Sequence, residues 1–161
     1  MTGVTNEIEG EEDHSFPPTR ILVAVDGSEN SIRASKVAIQ IAKDAQAGLM
    51  ILSVVPSAIL LPSPFGSNVL QRHIEDSKQT ATKMETKILK LAKNAGVKDV
   101  RCLVESSDTS VVESIIHRAE KEGVDLMVVG TRGLGGFKKL LLGSVSSGIV
   151  THAHCNVLVV R

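Results

Sequence analysis

The sequence predicts a single α/β domain in which a doubly wound, five-stranded parallel sheet carries helices on both faces. Five short apolar runs alternate along the chain with segments of helical periodicity, as in a series of β-α units. The runs are almost continuously apolar, so both faces of each strand must be covered by helices. With 161 residues, 42% of them hydrophobic, the chain has the length and the apolar content of one domain.

The first half of the chain contains two predicted strands and two predicted helices. Arg20–Val25 is a β-branched apolar run followed by Asp-Gly-Ser, which is typical of a buried strand that ends in a turn. A helical period starts at Ser28, and the second strand is predicted at Leu49–Val55, where Pro56 stops it. Apolar and small residues then recur in steps of four and three over residues 70–95. This pattern predicts a long helix that lies on the sheet, and a coiled-coil seam is the alternative.

The second half adds three strands and two helices. Val100–Val104 is the third predicted strand, and apolar residues at helical spacing over residues 112–119 predict the third helix. Asp125–Gly130 is the fourth strand, and a glycine-rich segment leads from it to a helix that starts at about Ser144. Val157–Val160 is the fifth strand. Parallel strands with right-handed helical crossovers give a Rossmann-like architecture.

The charge distribution separates an N-terminal tail from the predicted domain. The chain has 18 Lys and Arg and 18 Asp and Glu, so its formal charge is zero. Residues 1–19 hold five of the acids and none of these bases, which leaves 13 acids and 18 bases, a net charge of +5, in residues 20–161. We therefore expect a flexible acidic tail over residues 1–19 and one folded domain over residues 20–161.

The composition disfavours several classes of protein. There is no Trp or Tyr and no overall basic excess, so neither a stacking platform nor a positive surface for nucleic acid is expected. No apolar run approaches the roughly 18 residues of a membrane span, and the N-terminus lacks the features of a secretory signal. Two cysteines make no disulfide scaffold, so we expect a cytoplasmic protein.

The strongest candidate site follows the fourth strand. In sheets of this kind, ligands bind beyond the carboxyl ends of the strands, where the strand order reverses. Gly130-Thr-Arg-Gly133 is followed by nine residues and then by Gly143-Ser144. Glycines let backbone N–H groups approach a ligand closely, and a helix start offers unpaired N–H groups and a positive dipole end. We therefore expect a phosphate-binding loop, with a glycine-rich turn before a capped helix as the alternative. Hydroxyl and cationic side chains that suit an anion are Ser144, Ser146, Arg132, Lys138 and Lys139.

Three ordered motifs span residues 19–161. The first begins at Ile21 and reads Ile-Leu-Val-Ala-Val-Asp-Gly-Ser, and the second begins at Asp125 and reads Asp-Leu-Met-Val-Val-Gly-Thr-Arg-Gly. The third begins at Leu141 and reads Leu-Leu-Gly-Ser-Val-Ser. The spacing Gly-x2-Gly-x9-Gly-Ser and these motifs resemble the universal stress protein family, specifically its ATP-binding branch. The chain ending is also similar, although Asn156 stands where that family usually has proline.

The resemblance implies a strand order of 3-2-1-4-5 and a nucleotide site. Asp26 stands at the position that hydrogen-bonds the ribose, and Val54 at the position whose backbone reads the adenine edge. The residues implied to line the nucleoside are Ala24, Val25, Val129 and Gly130. Those implied at or near the phosphates are Arg132, Gly133, Gly143, Ser144, Val145 and Ser146.

The resemblance also implies the ligand and the role. The ligand would be ATP, with Mg²⁺ or Mn²⁺ carried on its phosphates, and the protein would be a nucleotide-responsive regulator in a stress response. The loop has no acid or histidine placed to orient water, so we expect at most slow hydrolysis and no catalytic residue. One alternative is a slow ATPase or phosphotransferase that uses Glu105 or Asp108. The other is an interaction module that binds AMP or a cyclic nucleotide.

A homodimer is the expected assembly. The implied strand order places Val157–Val160 at an edge of the sheet, where an apolar strand with unpaired backbone groups favours association. Antiparallel pairing with a second copy of the same strand would cover this edge. The protein partner that reads the bound state is not indicated by the sequence.

Three further features of the sequence bear on metal binding, on a disulfide and on a lid. His152, His154 and Cys155 lack further nearby ligands, so no metal site is predicted there. In the implied order, Cys102 and Cys155 lie on the two outer strands, about 19 Å apart at ~4.8 Å per strand, too far for a disulfide. The apolar connection Pro56–Asn68 suggests a lid over the adenine or a contact with a second subunit.

Overall fold

The chain is represented by a computed structural model that describes residues 16–57, 67–134 and 141–161. Most of the predicted acidic tail, the middle of the predicted lid and the two lysines at 138 and 139 lie outside the described residues. Within helix residues 67–70, the backbone alone is described.

The described residues form a five-stranded parallel sheet and four helices. The strands are β1 (Arg20–Ala24), β2 (Gly48–Pro56), β3 (Val100–Ser107), β4 (Leu126–Gly130) and β5 (Asn156–Val160). The helices are α1 (Glu29–Ala45), α2 (Ser67–Ala95), α3 (Val111–Lys121) and α4 (Ser144–His152). The strand order is β3-β2-β1-β4-β5, and every pair is parallel, which confirms the predicted fold class and the implied order.

The sheet separates two hydrophobic layers. Successive side chains of a strand point to opposite faces, so Ile21 and Val23 pack with α1 and α2, whereas Leu22 packs with α3 and α4. All three side chains are almost completely buried. Because helices cover both faces of the sheet, the strands appear in the sequence as continuous apolar runs.

The helix α2 lies along β2 and β3, as predicted, and not in a coiled-coil seam. Its buried face overlaps the predicted apolar stripe in part, because Ala81 and Ile88 belong to both. The buried positions are Ala81, Glu85, Ile88 and Ala92, whereas Leu91, which the apolar pattern selected, is 50% exposed. An acidic residue on the buried face cannot be recognised from apolar periodicity.

The two cysteines lie toward opposite edges of the sheet. Cys102 is in β3, and Cys155 directly precedes β5, one residue earlier than expected. Both thiols are free, in agreement with the expectation that no intramolecular disulfide forms. Among the described helices, none combines the length and the apolar character needed to cross a membrane.

Candidate functional site

The candidate residues gather at the carboxyl edge of the sheet between β1 and β4. The chain proceeds from β1 to β2 and β3 on one side, and then returns to place β4 on the other side of β1. This reversal opens a crevice beyond the two central strands. Asp26 follows β1, and Thr131 follows β4, so both reach the crevice.

The carbonyl group of Thr131 fixes the start of α4. Gly143 N–H donates to Thr131 O at 2.7 Å, and the Ser146 hydroxyl donates to the same oxygen at 2.8 Å. Ser146 Oγ also lies 3.1 Å from Gly143 O. Thr131 N–H in turn donates to Val160 O at 2.8 Å, which ties the loop to β5. The segment from β4 to α4, here called the β4–α4 loop, is therefore held at both described ends.

The first turn of α4 presents backbone donors without a side-chain cap. Gly143 is the N-cap residue and makes no side-chain cap hydrogen bond. The N–H groups of Ser144, Val145 and Ser146 precede the first intrahelical donor, Ser147 N–H, which bonds Gly143 O. With the positive end of the helix dipole, these amides have the arrangement that suits an anion.

The hydroxyl groups of the two predicted serines have different environments. Ser144 is exposed at the start of α4 and can reach a ligand. Ser146 is 4% exposed, and its hydroxyl already donates to Thr131 O and Gly143 O. The Ser146 side chain therefore holds the loop, and its backbone N–H is the group that faces the anion position.

Two of the signature glycines lie where a Cβ atom would approach the protein closely: Gly130 faces backbone, and Gly133 faces the end of a side chain. A Cβ atom on Gly130 would lie 2.7 Å from the carbonyl carbon of Asn30, closer than real Cβ contacts allow. A Cβ atom on Gly133 would lie 2.3 Å from Asp26 Oδ2. By contrast, a Cβ atom on Gly143 would meet nothing nearer than 3.4 Å, which is ordinary van der Waals contact.

The carboxylate of Asp26 joins the turn after β1 to the β4–α4 loop. Its Oδ1 accepts the Ser28 N–H at 2.9 Å, and its Oδ2 accepts the Leu134 N–H at 3.0 Å. The residue is exposed, and each oxygen retains a lone pair for a further donor. Asp26 thus supports the first turn of α1 and also stands at the crevice.

Among the described strands, none pairs with the backbone of Val54 on the crevice side. Val25 N–H donates to Leu52 O at 2.9 Å, and β2 then continues to Pro56 beside β3 alone. Alternate residues of a strand direct their backbone groups to opposite neighbours. Val54 therefore directs its N–H and C=O to the side on which β1 has ended.

The remaining predicted residues line the crevice through their backbones. The side chains of Val25 and Val129 are buried in the core, so a ligand could meet their main-chain atoms. Ala24 is half-buried at the end of β1. Arg132 is half-buried in the β4–α4 loop, and its carbonyl oxygen accepts hydrogen bonds from Ser28 and Asn30.

Ser28 and Asn30 are site residues that the sequence analysis missed. The signal was present as the polar pattern Asp-Gly-Ser-Glu-Asn after the first strand. That pattern also matches an ordinary helix start, and the Ser28 hydroxyl does cap α1 by accepting the Ser31 N–H at 3.2 Å. The contact with Arg132, 104 residues away, becomes visible in the folded chain alone.

Buried titratable groups lie on the α2 side of the sheet. Burial raises the pKa of Glu85 to about 7, and Ser53 lowers that pKa in part. Burial also raises the pKa of the Cys102 thiol to about 11, with the negative charge of Glu85 adding to the effect. The pKa of Cys155 is raised to about 11, again mainly by burial. Neither thiol is therefore an activated nucleophile at neutral pH.

The two acids considered for catalysis are far from the loop. Glu105 was expected on the loop after the third strand but lies inside β3. Its carboxylate pairs with Arg118 of α3. Asp108 follows β3. Three strand spacings separate β3 from β4, about 14 Å at ~4.8 Å each. Neither acid is placed beside the first turn of α4.

No metal centre of protein ligands occurs in the described part of the chain. His154 Nδ1 lies 3.8 Å from Glu120 Oε1, and no group of three or more His, Cys, Asp or Glu side chains converges among residues 16–57, 67–134 and 141–161. A cavity of about 130 Å³ lies at the opposite, amino-terminal edge of the sheet. Its walls include Arg20, Arg101, Asp99 and Glu122, so cations and acids balance there.

Comparisons with known proteins agree on one family. The sequence model described as "Universal stress protein family" matches residues 18–161. The chain is 37% identical over 145 residues to the universal stress protein YxiE of Bacillus subtilis, covering 88% of this chain and 98% of that relative. The structure of the universal stress protein UspA from Lactobacillus plantarum superposes with a TM-score of 0.82 at 27% identity, covering 89% of this chain and 97% of that one. A universal stress protein solved in complex with cAMP superposes with a TM-score of 0.57 at 27% identity, with the same two coverages.

Proposed function

Because the chain belongs to the universal stress protein family, we propose that it binds an adenine nucleotide, with ATP as the ligand, and acts as a nucleotide-responsive regulator in a stress response. Occupancy of the crevice would be the signal, and a partner protein would read it. We also propose a cytoplasmic location, since two cysteines make no disulfide scaffold.

The observation that carries the proposal is the uncapped first turn of α4. Its amides at Ser144, Val145 and Ser146 lie beyond a crevice between central strands, and the Thr131 carbonyl holds them in place. Preorganised amides at a helix start bind phosphate without reorganisation. A Cβ atom at Gly143 would meet the protein only at ordinary van der Waals distances, so an alanine can test this position without disrupting the packing.

The other groups of the crevice suit a nucleoside. Asp26 would accept a hydrogen bond from a ribose hydroxyl, and the open backbone of Val54 would pair with the adenine edge. The main chain of Ala24, Val25, Val129 and Gly130 would line the space between these two groups. Gly133 and Arg132, which lie in the β4–α4 loop, would contact the phosphates from the side of that loop.

A divalent ion fits this site as a companion of the ligand. The described residues bring no set of carboxylates together to hold a metal by themselves, so Mg²⁺ or Mn²⁺ would be bound mainly by phosphate oxygens. The exposed Ser144 hydroxyl is a protein group that could add a ligand. When bound, the ion would neutralise charge on the triphosphate.

We do not expect efficient ATP hydrolysis. Glu105 lies on β3, distant from the β4–α4 loop, and its carboxylate pairs with Arg118. Asp26 already accepts hydrogen bonds from two backbone N–H groups. Fast ATP hydrolysis needs a group that orients the attacking water. The slow ATPase or phosphotransferase is therefore the weaker alternative.

A second candidate function is cyclic-nucleotide binding. The relative solved in complex with cAMP is 27% identical to this chain, and the chain covers 97% of its length. A site that holds one phosphate at the start of α4 would accept AMP or a cyclic nucleotide as well as ATP.

Self-association through β5 belongs to the same proposal. The apolar side chains of Val157–Val160 are each half-buried within one chain, and among the described strands β5 has a neighbour on one side alone. A second copy paired antiparallel to this strand would cover both the side chains and the free backbone groups.

Calorimetric titration with ATP, ADP, AMP and cAMP, in buffer with and without Mg²⁺, tests these assignments. ATP affinity above that of AMP and cAMP, with negligible phosphate release, supports the ATP-responsive regulator. Tighter binding of cAMP would favour the second candidate, and steady phosphate release would favour the enzyme. A folded protein that binds none of the four would refute the proposed function.

A further inference from the structure

The first turn of α1 is packed directly against the end of β4. A Cβ atom on Gly130 would lie 2.7 Å from the carbonyl carbon of Asn30 and 2.9 Å from its Cβ atom. Only a residue without a side chain at position 130 lets the two backbones approach this closely. The backbone of Asn30 is therefore held at a fixed place beside the β4–α4 loop.

Three hydrogen bonds extend from this turn to the loop. Ser28 Oγ donates to Arg132 O at 3.2 Å, and Asn30 Nδ2 donates to the same oxygen at 3.4 Å. Leu134 N–H donates to Asp26 Oδ2 at 3.0 Å. We refer to Asp26, Ser28 and Asn30 together as the α1 clasp. Its members and their partners are more than 100 residues apart in sequence.

Of the three, Asn30 has no role in its own helix. Asp26 and Ser28 also stabilise the turn before α1, through the Ser28 and Ser31 N–H groups. Asn30 lies inside the first turn of α1, where asparagine is a poor helix former. Among the described residues, the hydrogen bond of its side chain is the one to Arg132 O.

The orientation of Arg132 O determines the direction of the next backbone donor. In a trans peptide, the C=O of one residue and the N–H of the following residue point in opposite directions. Because the Arg132 carbonyl is directed at α1, the Gly133 N–H is directed away from α1. A glycine at position 133 makes this peptide easy to rotate, so an external contact is needed to keep it in one orientation.

We propose that Asn30 is a positioning residue of the nucleotide site, which holds Arg132 O and thereby aims the Gly133 N–H at the phosphates. This inference rests on the proposed function. Ser28 shares the contact, and its additional role as the cap of α1 makes it the less selective probe. Asn30 would thus act on the phosphates of the ligand and not on its nucleoside, whereas Asp26 is the member of the α1 clasp that would contact the ribose.

The variant Asn30→Ala tests the inference, and Gln40→Ala is its matched control. Gln40 is an amide side chain on the same helix that bonds Asp44 and is remote from the loop. ATP, AMP and adenosine are titrated by calorimetry against the wild type and both variants. We expect Asn30→Ala to weaken ATP binding about tenfold, the effect of one hydrogen bond to a charged group, while adenosine affinity stays at the control value. In the nucleotide-free protein, amide exchange of Gly133 and Leu134 should be faster than in the control.

The outcomes separate this inference from the function on which it rests. Unchanged ATP affinity and unchanged exchange in Asn30→Ala would overturn the positioning role alone, since the wild type would still bind. An equal loss for adenosine and ATP would also overturn it, because a general structural defect does not distinguish phosphates. A wild-type protein that binds neither ATP nor AMP would overturn both.

Discussion

Replacing Glu85 with glutamine should remove a pH dependence that this side chain gives to the stability of the fold. Glu85 is 3% exposed on the face of α2 that packs on the sheet. Neither Glu85 Oε1 nor the neighbouring Ser53 Oγ has a hydrogen-bond partner among the described residues. Ionisation would therefore leave a charge in an apolar layer that Ser53 compensates only in part.

The size of the effect follows from the pKa of Glu85, which burial raises from 4.5 to about 7. At about 1.4 kcal/mol per pH unit between these values, ionised Glu85 costs the folded state about 3 kcal/mol. Below pH 4.5 the residue is protonated in both states, and its contribution to stability is fully present. Between pH 4.5 and about 7, unfolding releases a proton, so this stability is lost as the pH rises.

The assay is urea unfolding at pH 5, 6, 7 and 8 and at one protein concentration, for the wild type, Glu85→Gln and a control. Glu29→Gln is the control, because Glu29 lies in an exposed i,i+4 pair with Arg33. We expect the unfolding free energy of the wild type and of the control to fall by about 2–3 kcal/mol more than that of Glu85→Gln over this range. Parallel pH profiles of wild type and Glu85→Gln would refute the assignment of a raised pKa to Glu85.

Three further predictions concern other parts of the molecule. Gly143→Ala should cost less than about 1 kcal/mol in unfolding free energy but weaken ATP binding, whereas Gly130→Ala should cost about 1–3 kcal/mol because its Cβ meets the backbone of α1. Denaturation and calorimetry measure both effects, and equal destabilisation by the two changes would contradict the packing argument. Cys102 and Cys155 should react slowly with iodoacetamide at pH 7 and rapidly after unfolding, because burial raises both thiol pKa values to about 11. Fast labelling of the native protein, followed by mass spectrometry, would argue against this. Val159→Lys should convert a wild-type dimer to a monomer in sedimentation experiments at micromolar concentration with unchanged ATP affinity, and a monomeric wild type would rule out the β5 interface.

The central strands could be predicted from the sequence because burial along each of them is nearly uniform. β1 and β4 lie in the centre with both faces covered, so each produces an uninterrupted apolar run. The order of the strands could not be obtained from periodicity, because any order of five buried strands gives the same runs. That order came from the resemblance to a family and is confirmed by the sheet.

The parts of the site that sequence reasoning missed depend on contacts between distant residues. The glycine pattern identified the β4–α4 loop, yet it could not show that Gly130 packs against the backbone of Asn30 or that Gly133 lies against the carboxylate of Asp26. Likewise, the sequence shows that Ser146 has a hydroxyl group but not that the group donates to Thr131 O. Local sequence patterns identify where hydrogen-bond donors occur, whereas the fold determines which of these donors already have a partner within the protein.

The hydrogen bond from Thr131 N–H to Val160 O has a consequence beyond the loop that it anchors. Val160 is the last residue of β5 and lies beside Gly130 in the sheet. Because alternate residues direct their backbone groups to opposite sides, the neighbouring Val159 directs its own groups to the outer edge. One peptide therefore separates the proposed ligand-binding loop from the strand edge at which we propose that a second chain pairs. Thermodynamic reciprocity requires that any effect of strand addition on ligand affinity be matched by an equal effect of the ligand on strand addition.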